Sequence, residues 1–195
     1  MCYNDTIKEV LKLNWTIPGT TLEDLRSNAD QLENRFQTMF LAGGLTLSQV
    51  ASITGLETHT IQNWVKRRFL PPPQNKRYNM EQLCRILNIN ILKGPLHIDE
   101  ITKLLAYLNG NLDDESDDLV DDTMLYFMFI RLAARARYLG GTTAWDQALL
   151  EVTQEFKEPT EGAREKLIRV LNIMLTAWCA NRLRQQAAAM IQEIQ

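Results

Sequence analysis

The sequence predicts an all-α protein: a helix-turn-helix head with a very short wing, followed by a C-terminal helical bundle. Three observations lead there. Apolar residues recur at steps of three and four along most of the 195 residues, the spacing of one helical face. Gly and Pro punctuation, as in Pro18-Gly19, Gly43-Gly44, Gly94-Pro95 and Gly140-Gly141, cuts that pattern into helix-sized pieces. From Leu45 to Tyr78, turn chemistry, apolar spacing and positive charge fall together. Strand signals are nearly absent, apart from a tiny ribbon at the wing.

Composition narrows the class. Hydrophobic residues make up 45% of the chain, enough to bury a core and against disorder of the whole chain. The longest apolar run, near Met124, is far too short to span a bilayer, and the polar N-terminus has no signal-like apolar stretch. A cytoplasmic location with no membrane partner is therefore expected. Cys2, Cys84 and Cys179 lie far apart and form no CxxC pair, which argues for reduced thiols rather than a disulfide framework or zinc site. The net charge of −3 hides an uneven distribution. Between Leu45 and Pro95, seven basic residues (Lys66, Arg67, Arg68, Lys76, Arg77, Arg85, Lys93) stand against Glu57 and Glu81, so that segment is +5 and the remainder −8. A basic island in an acidic chain is the footprint expected of a local phosphate-binding surface.

In chain order, Thr6 and Glu9 have capping-box spacing ahead of Ile7, Val10 and Leu11, a short helix that breaks before Pro18-Gly19. Thr20 and Glu23 repeat the box. Leu22 through Phe40 then keep a narrow apolar face, predicting an amphipathic helix to about Leu41. Thr46 and Gln49 form a third box. Asn79 caps a helix carrying Leu83, Ile86, Leu87 and Ile91, and Ile98 to Leu108 carries the next. The acidic run Asp113-Asp114-Glu115-Ser116-Asp117-Asp118 is the clearest boundary. A helix from about Leu119 to Leu139 should be buried on every side over Met124–Ile130. Thr143 can cap a helix bearing Trp145, Leu149, Val152 and Phe156, and a last helix runs from about Glu161 to Ile194. No sustained heptad is apparent there, because Asn181, Arg182 and Arg184 interrupt a seam. The division is thus N-terminal helices at 1–44 for support or dimer contact, the head at 45–110, the acidic junction at 111–118 and a C-terminal helical module at 119–195.

Within the head, Ala51 is small where a second helix crosses, Gly55 suits a turn residue with positive φ, and Val50, Leu56, Ile61 and Trp64 are apolar where both helices meet the core. These offsets match the helix-turn-helix pattern. A plain helical hairpin is the competing reading. With Ile61, Trp64 and Val65 turned inward, the second helix presents Thr58, His59, Gln62, Asn63 and Lys66. Gln and Asn pair bidentately with adenine, and Lys bonds guanine or phosphate. Thr58 or Thr60 is placed to reach phosphate from the helix start. Arg67, Arg68, Lys76 and Arg77 suit backbone contacts, although Lys and Arg also offset the negative end of any helix.

Ile61-Gln62-Asn63-Trp64-Val65-Lys66, Phe69-Leu70-Pro71-Pro72-Pro73 and Lys76-Arg77-Tyr78 resemble the DNA-binding head of the mercury-resistance-regulator (MerR) superfamily. So do Gln82-Leu83, Ile86, Ile89, Leu92 and Ile98-Asp99-Glu100-Ile101. The chain is most similar to an uncharacterised bacterial domain-of-unknown-function family with a MerR-like head, through Asn63, Lys66, Pro73, Tyr78 and Ile91-Leu92-Lys93. The resemblance covers about Leu45 to Leu108 and implies a winged helix-turn-helix, two supporting helices and DNA binding as a dimer. The chain departs from the superfamily in its wing, only Gln74-Asn75-Lys76-Arg77, and in lacking a long coiled-coil helix directly after the head.

Other constellations are weaker. The acidic run lacks the alternating Asp spacing and central Gly of a calcium loop. Tyr126, Phe127, Phe129, Trp145, Phe156 and Trp178 are candidates to line an effector pocket, for a small molecule or a protein, and equally read as plain core. His59 and His97 sit in no metal spacing, no Gly-rich loop cradles phosphate, and no catalytic residue, metal or cofactor is expected. The expected function is a sequence-specific DNA-binding transcriptional regulator that reads double-stranded DNA as a homodimer. A protein-interaction adaptor that retains the fold without DNA binding is the alternative.

Overall fold

The computed structural model describes residues 17–20, 29–110, 118–136, 142–192 and 194. Eight α-helices appear among them: α1 (Ala29–Phe40), α2 (Leu47–Thr54), α3 (Thr58–Lys66), α4 (Met80–Leu92), α5 (Ile98–Asn109), α6 (Asp122–Ala136), α7 (Thr142–Thr153) and α8 (Ala163–Gln192). No strand is present among the described residues beyond isolated bridges at Leu45–Tyr78 and Gln74–Arg77. The all-helical expectation is met. The Thr6–Glu9 and Thr20–Glu23 boxes, Cys2, the Asp113–Asp117 run and the Gly140-Gly141 stop lie wholly or partly outside the described residues.

The capping chemistry read from the sequence sets the helix starts. Gln49 Oε1 accepts from Thr46 N at 2.9 Å while the Thr46 hydroxyl accepts from Gln49 N, and Asn79 with Gln82 repeats the box on α4 at 2.8 and 2.9 Å. Each reciprocal pair satisfies amide donors that a helix start leaves open. The helix α6 starts later than expected, at Asp122 instead of Leu119. The carboxylate of Asp121 accepts from Met124 N at 2.8 Å, so Asp121 is the cap and Leu119 lies in the preceding bend, with its N–H donating to Leu108 O. Thr143 likewise falls inside α7, one residue past its first position.

The core is built on α4 and α6. Leu83, Ile86, Leu87, Ile89 and Leu92 of α4 are buried, as are Leu125 to Ile130 of α6, while Met124 alone of that run is exposed. Two long helices buried on nearly all sides can only be the centre of the packing. Around them sit α1, the α2–α3 pair, α5, α7 and the first half of α8, and the buried apolar side chains form one cluster. The acidic stretch therefore divides the chain in sequence but not the core. The aromatic residues of the C-terminal helices are part of it: Phe36, Tyr126 and Phe127 pack ring on ring with centroids 5.2–5.9 Å apart, and Phe129 meets Trp178 edge-on at 6.1 Å. Phe156 is buried as well, and Trp145 packs half-buried against the cluster. The Tyr126 hydroxyl, the polar end of this stack, donates to Pro18 O at 2.7 Å and pins the Ile17–Thr20 turn.

Charge enters this core once among the described ion pairs. Arg85 Nη1 bonds Asp122 Oδ2 at 2.8 Å, with side chains 8% and 4% exposed. Its Nε donates to Phe69 O at 2.9 Å, and Asn88 Nδ2 donates to Asp122 at 3.1 Å. Removing one partner strands a buried charge, which costs about 3–5 kcal/mol. Asp122→Ala is expected to lower unfolding free energy by about that amount. Urea denaturation followed by circular dichroism measures it; a loss of less than about 1 kcal/mol, the value of a surface pair, would contradict the assignment.

Candidate functional site

The helices α2 and α3 are short and joined by a single tight turn. Gly55 takes φ +67°, and its N–H donates to Ala51 O at 2.9 Å to close α2. That left-handed geometry is open to glycine without steric penalty. Val50, Leu56 and Ile61 are buried at the crossing and Trp64 closes it at 8% exposure. Asn90 of α4 donates to Thr54 O at 2.9 Å, tying the C-terminal end of α2 to the core.

With those residues inward, α3 turns Thr58, His59, Gln62, Asn63 and Lys66 to solvent, with Thr60 half-buried. The arrangement matches the expected outward set. Every exposed side chain on α3 carries a hydrogen-bonding group, and none is a carboxylate.

The segment after α3 is held on both sides. Phe69 N donates to Trp64 O, Arg85 holds Phe69 O, and Gln82 Nε2 donates to Pro71 O at 3.2 Å and Pro72 O at 2.9 Å. Pro71 O and Pro72 O lie in a run of three prolines that supplies no N–H of its own, so a side chain is the donor there. Downstream, Leu45 and Tyr78 exchange two backbone bonds of 2.9 and 2.8 Å, so the two ends of the α2–α3 unit are stitched together. Arg77 Nη1 adds a bond to Gly44 O at 3.0 Å.

Between them Gln74-Asn75-Lys76-Arg77 forms a tight hairpin turn. Arg77 N donates to Gln74 O at 2.8 Å, and Asn75 and Lys76 have φ +49° and +63°. Positive φ at both central positions is the type I′ signature, for which Asn-Gly is preferred. Asn75 suits it; Lys76 stands where glycine would be relaxed. Arg68, at φ +59°, is a second cation in left-handed backbone. An L-residue there costs about 1–2 kcal/mol.

The basic island is smaller than the count from the sequence. Arg85 is not on the surface: it is buried in the Asp122 pair, because the α4 face bearing it packs on α6. Lys93 lies past the far end of α4, where burial lowers its pKa. Lys66, Arg67, Arg68, Lys76 and Arg77 remain, all exposed, and no ion pair among the described residues involves them. The Arg67 guanidinium lies 4.6 Å from the Phe69 ring centroid, a cation–π contact that orients it. His59 is exposed beside this set, whereas His97 precedes α5 with its N–H bonded to Glu100 at 2.8 Å. Burial pushes the Cys84 thiol far above its ordinary range, consistent with an inert core thiol. The sequence could not have reported the positive φ of Lys76 and Arg68, since both residue types are ordinary in loops.

No helix among the described residues is long and apolar enough to cross a membrane. An uncharacterized protein of Bacillus subtilis (strain 168), YkrK, is 30% identical over 84 residues, covering 41% of this chain and 36% of that protein. The chain thus spans about a third of the length of this relative. No solved structure matches it. A family model described as a domain of unknown function, DUF1836, matches residues 30–129, from α1 through the first half of α6 and so across the acidic stretch. That match takes in just over half of the chain, which belongs to the DUF1836 family.

Proposed function

We propose that the chain is a sequence-specific DNA-binding protein, a bacterial transcriptional regulator with a MerR-like winged helix-turn-helix. The observation that carries this reading is the outward face of α3, which holds hydrogen-bonding side chains without a carboxylate and is followed in the chain by exposed Arg67 and Arg68 at its end and Lys76 and Arg77 at the turn. A nine-residue helix is about 14 Å long, matched to a major groove about 12 Å wide. Gln62 and Asn63 then face base edges as bidentate partners for adenine. Lys66 reaches guanine or phosphate, and Thr58, His59 and Thr60 lie toward the helix start, where amides attract phosphate.

The strained backbone supports the same reading. A type I′ turn accepts glycine more readily than lysine, so the side chain at Lys76 is retained against local stability. Residues held in unfavourable backbone regions cluster at functional sites, and a phosphate contact from the wing explains the choice. The wing is short, so base reading rests on one helix, and Lys76 and Arg77 anchor the backbone.

Titrating DNA fragments at several salt concentrations tests this. Lys76→Ala should weaken binding to all sequences and flatten the salt slope by about one, while Gln62→Ala or Asn63→Ala should cost about 1–3 kcal/mol on the preferred site and relax specificity. Absence of salt-dependent binding to every fragment would overturn the reading and leave an interaction adaptor in its place. Lys76→Gly separates the two roles of the residue. It should raise unfolding free energy by up to about 1 kcal/mol while losing the same DNA affinity as Lys76→Ala. A Lys76→Gly protein that is no more stable in thermal and urea denaturation would show that the backbone is not strained.

A further inference from the structure

A cleft of about 620 Å³ lies where the C-terminal ends of α2 and α4 meet the second half of α8, with the Ile17–Thr20 turn in its wall. Sites for small molecules run from roughly 300 to 1,000 Å³. No residue of α3 or of the Gln74–Arg77 turn lines the cleft, so it is separate from the surface proposed to meet DNA. Two of its walls are fixed from behind. Asn90 Nδ2 donates to Thr54 O at 2.9 Å, and the Tyr126 hydroxyl donates to Pro18 O at 2.7 Å. Gly94 lets the third wall come close: a Cβ there would overlap the Asn181 amide, so only glycine allows α8 to pack against the end of α4 at this point.

The charged side chains lining the cleft are Lys93, Arg182 and Arg184, and no carboxylate lines it among the described residues. The two arginines come from the acidic part of the chain, and from Ile173 to Gln192 they are the only charged residues. Read along the sequence, Asn181, Arg182 and Arg184 only interrupt a seam; in the fold all three face one cleft. Their side chains meet neutral amides there: Arg184 Nη2 donates to Asn181 Oδ1 at 3.1 Å, and Arg182 Nη1 to Gln185 Oε1 at 3.4 Å. No described ion pair involves Lys93 or Arg184. Burial lowers the pKa of both Lys93 and Arg182, the mark of positive charge that has lost part of its hydration. The negative ends of α2 and α4 favour cations here, but each carries roughly half an elementary charge. Together they balance about one of the three positive charges.

We infer that this cleft binds a small phosphate-bearing anion with more than one negative charge. Two guanidinium forks and an ammonium group match the clustered oxygens of a diphosphate, which arginine engages in bidentate fashion. Ser52, Thr20 and Asn90 add hydrogen-bonding groups along the same walls. The Thr54 and Pro18 carbonyls, which would repel an anion, are already occupied by their donors. The volume leaves room for an organic portion beyond the phosphates. The site differs from the aromatic effector pocket expected from the sequence, whose rings are packed into the core.

Isothermal titration of the full chain with inorganic pyrophosphate, without DNA or magnesium and at constant ionic strength, tests this independently of the DNA reading. Pyrophosphate should bind one per chain with a Kd below about 1 mM. Lys93→Ala and Arg184→Ala, both at exposed positions, should each weaken binding about tenfold or more, with unchanged circular dichroism and melting temperature in the absence of the anion. Lys76→Ala and Arg68→Ala, which remove cations outside the cleft, should leave the affinity unchanged. No heat of binding up to about 5 mM pyrophosphate would overturn the proposal. So would binding that survives both cleft substitutions, or binding that is lost with Lys76→Ala or Arg68→Ala, which would place the anion on the head instead.

Discussion

One buried ion pair joins the parts of this molecule. Arg85 of α4 and Asp122 of α6 meet at 2.8 Å deep in the packing, where two charges are costly to desolvate. Further hydrogen bonds offset part of that cost: Arg85 also holds Phe69 O, and Asn88 also donates to Asp122. The consequence is positional. Asp122 opens α6 beyond the acidic stretch, and Phe69 follows the end of α3. A single guanidinium therefore links the central helix, the first helix of the C-terminal half and the exit of the exposed helix. An apolar substitute of similar volume would fill the space, but it could not hold a carbonyl at a defined point.

The α2–α3 unit shows how little local structure is needed once its ends are fastened. Two backbone bonds between Leu45 and Tyr78 close it, Asn90 holds the end of α2, and Gln82 with Arg85 holds the segment after α3. Inside that frame the outward side chains of α3 stand exposed to solvent. The turn at Lys76 gives the opposite case. There a residue is kept in a conformation that disfavours it, which local stability does not explain.

The charge distribution has the same logic. With Arg85 taken into the core and Lys93 at the far end of α4, the exposed cations of the head gather at α3 and the turn. Elsewhere the chain is acidic, −8 outside Leu45–Pro95.

By itself, the sequence determined the helical class, the capping boxes at Thr46 and Asn79, the left-handed Gly55 and the inward or outward sense of each residue on α3. Those depend on contacts three or four residues apart, which a linear pattern records. It also placed a helix over the apolar run of α6, though not its start, because the carboxylates of the acidic stretch look alike until Asp121 is seen bonded to Met124 N. Only the tertiary structure decided that Arg85 is a core residue, that the aromatic set is packing, and that Lys76 and Arg68 sit in left-handed backbone. Those three rest on contacts and dihedrals that no linear pattern records. For Arg85 and the aromatic rings the physical reason is the same: a charged or aromatic side chain acquires its role from what lies across from it. For Arg85 that partner is 37 residues away in the chain.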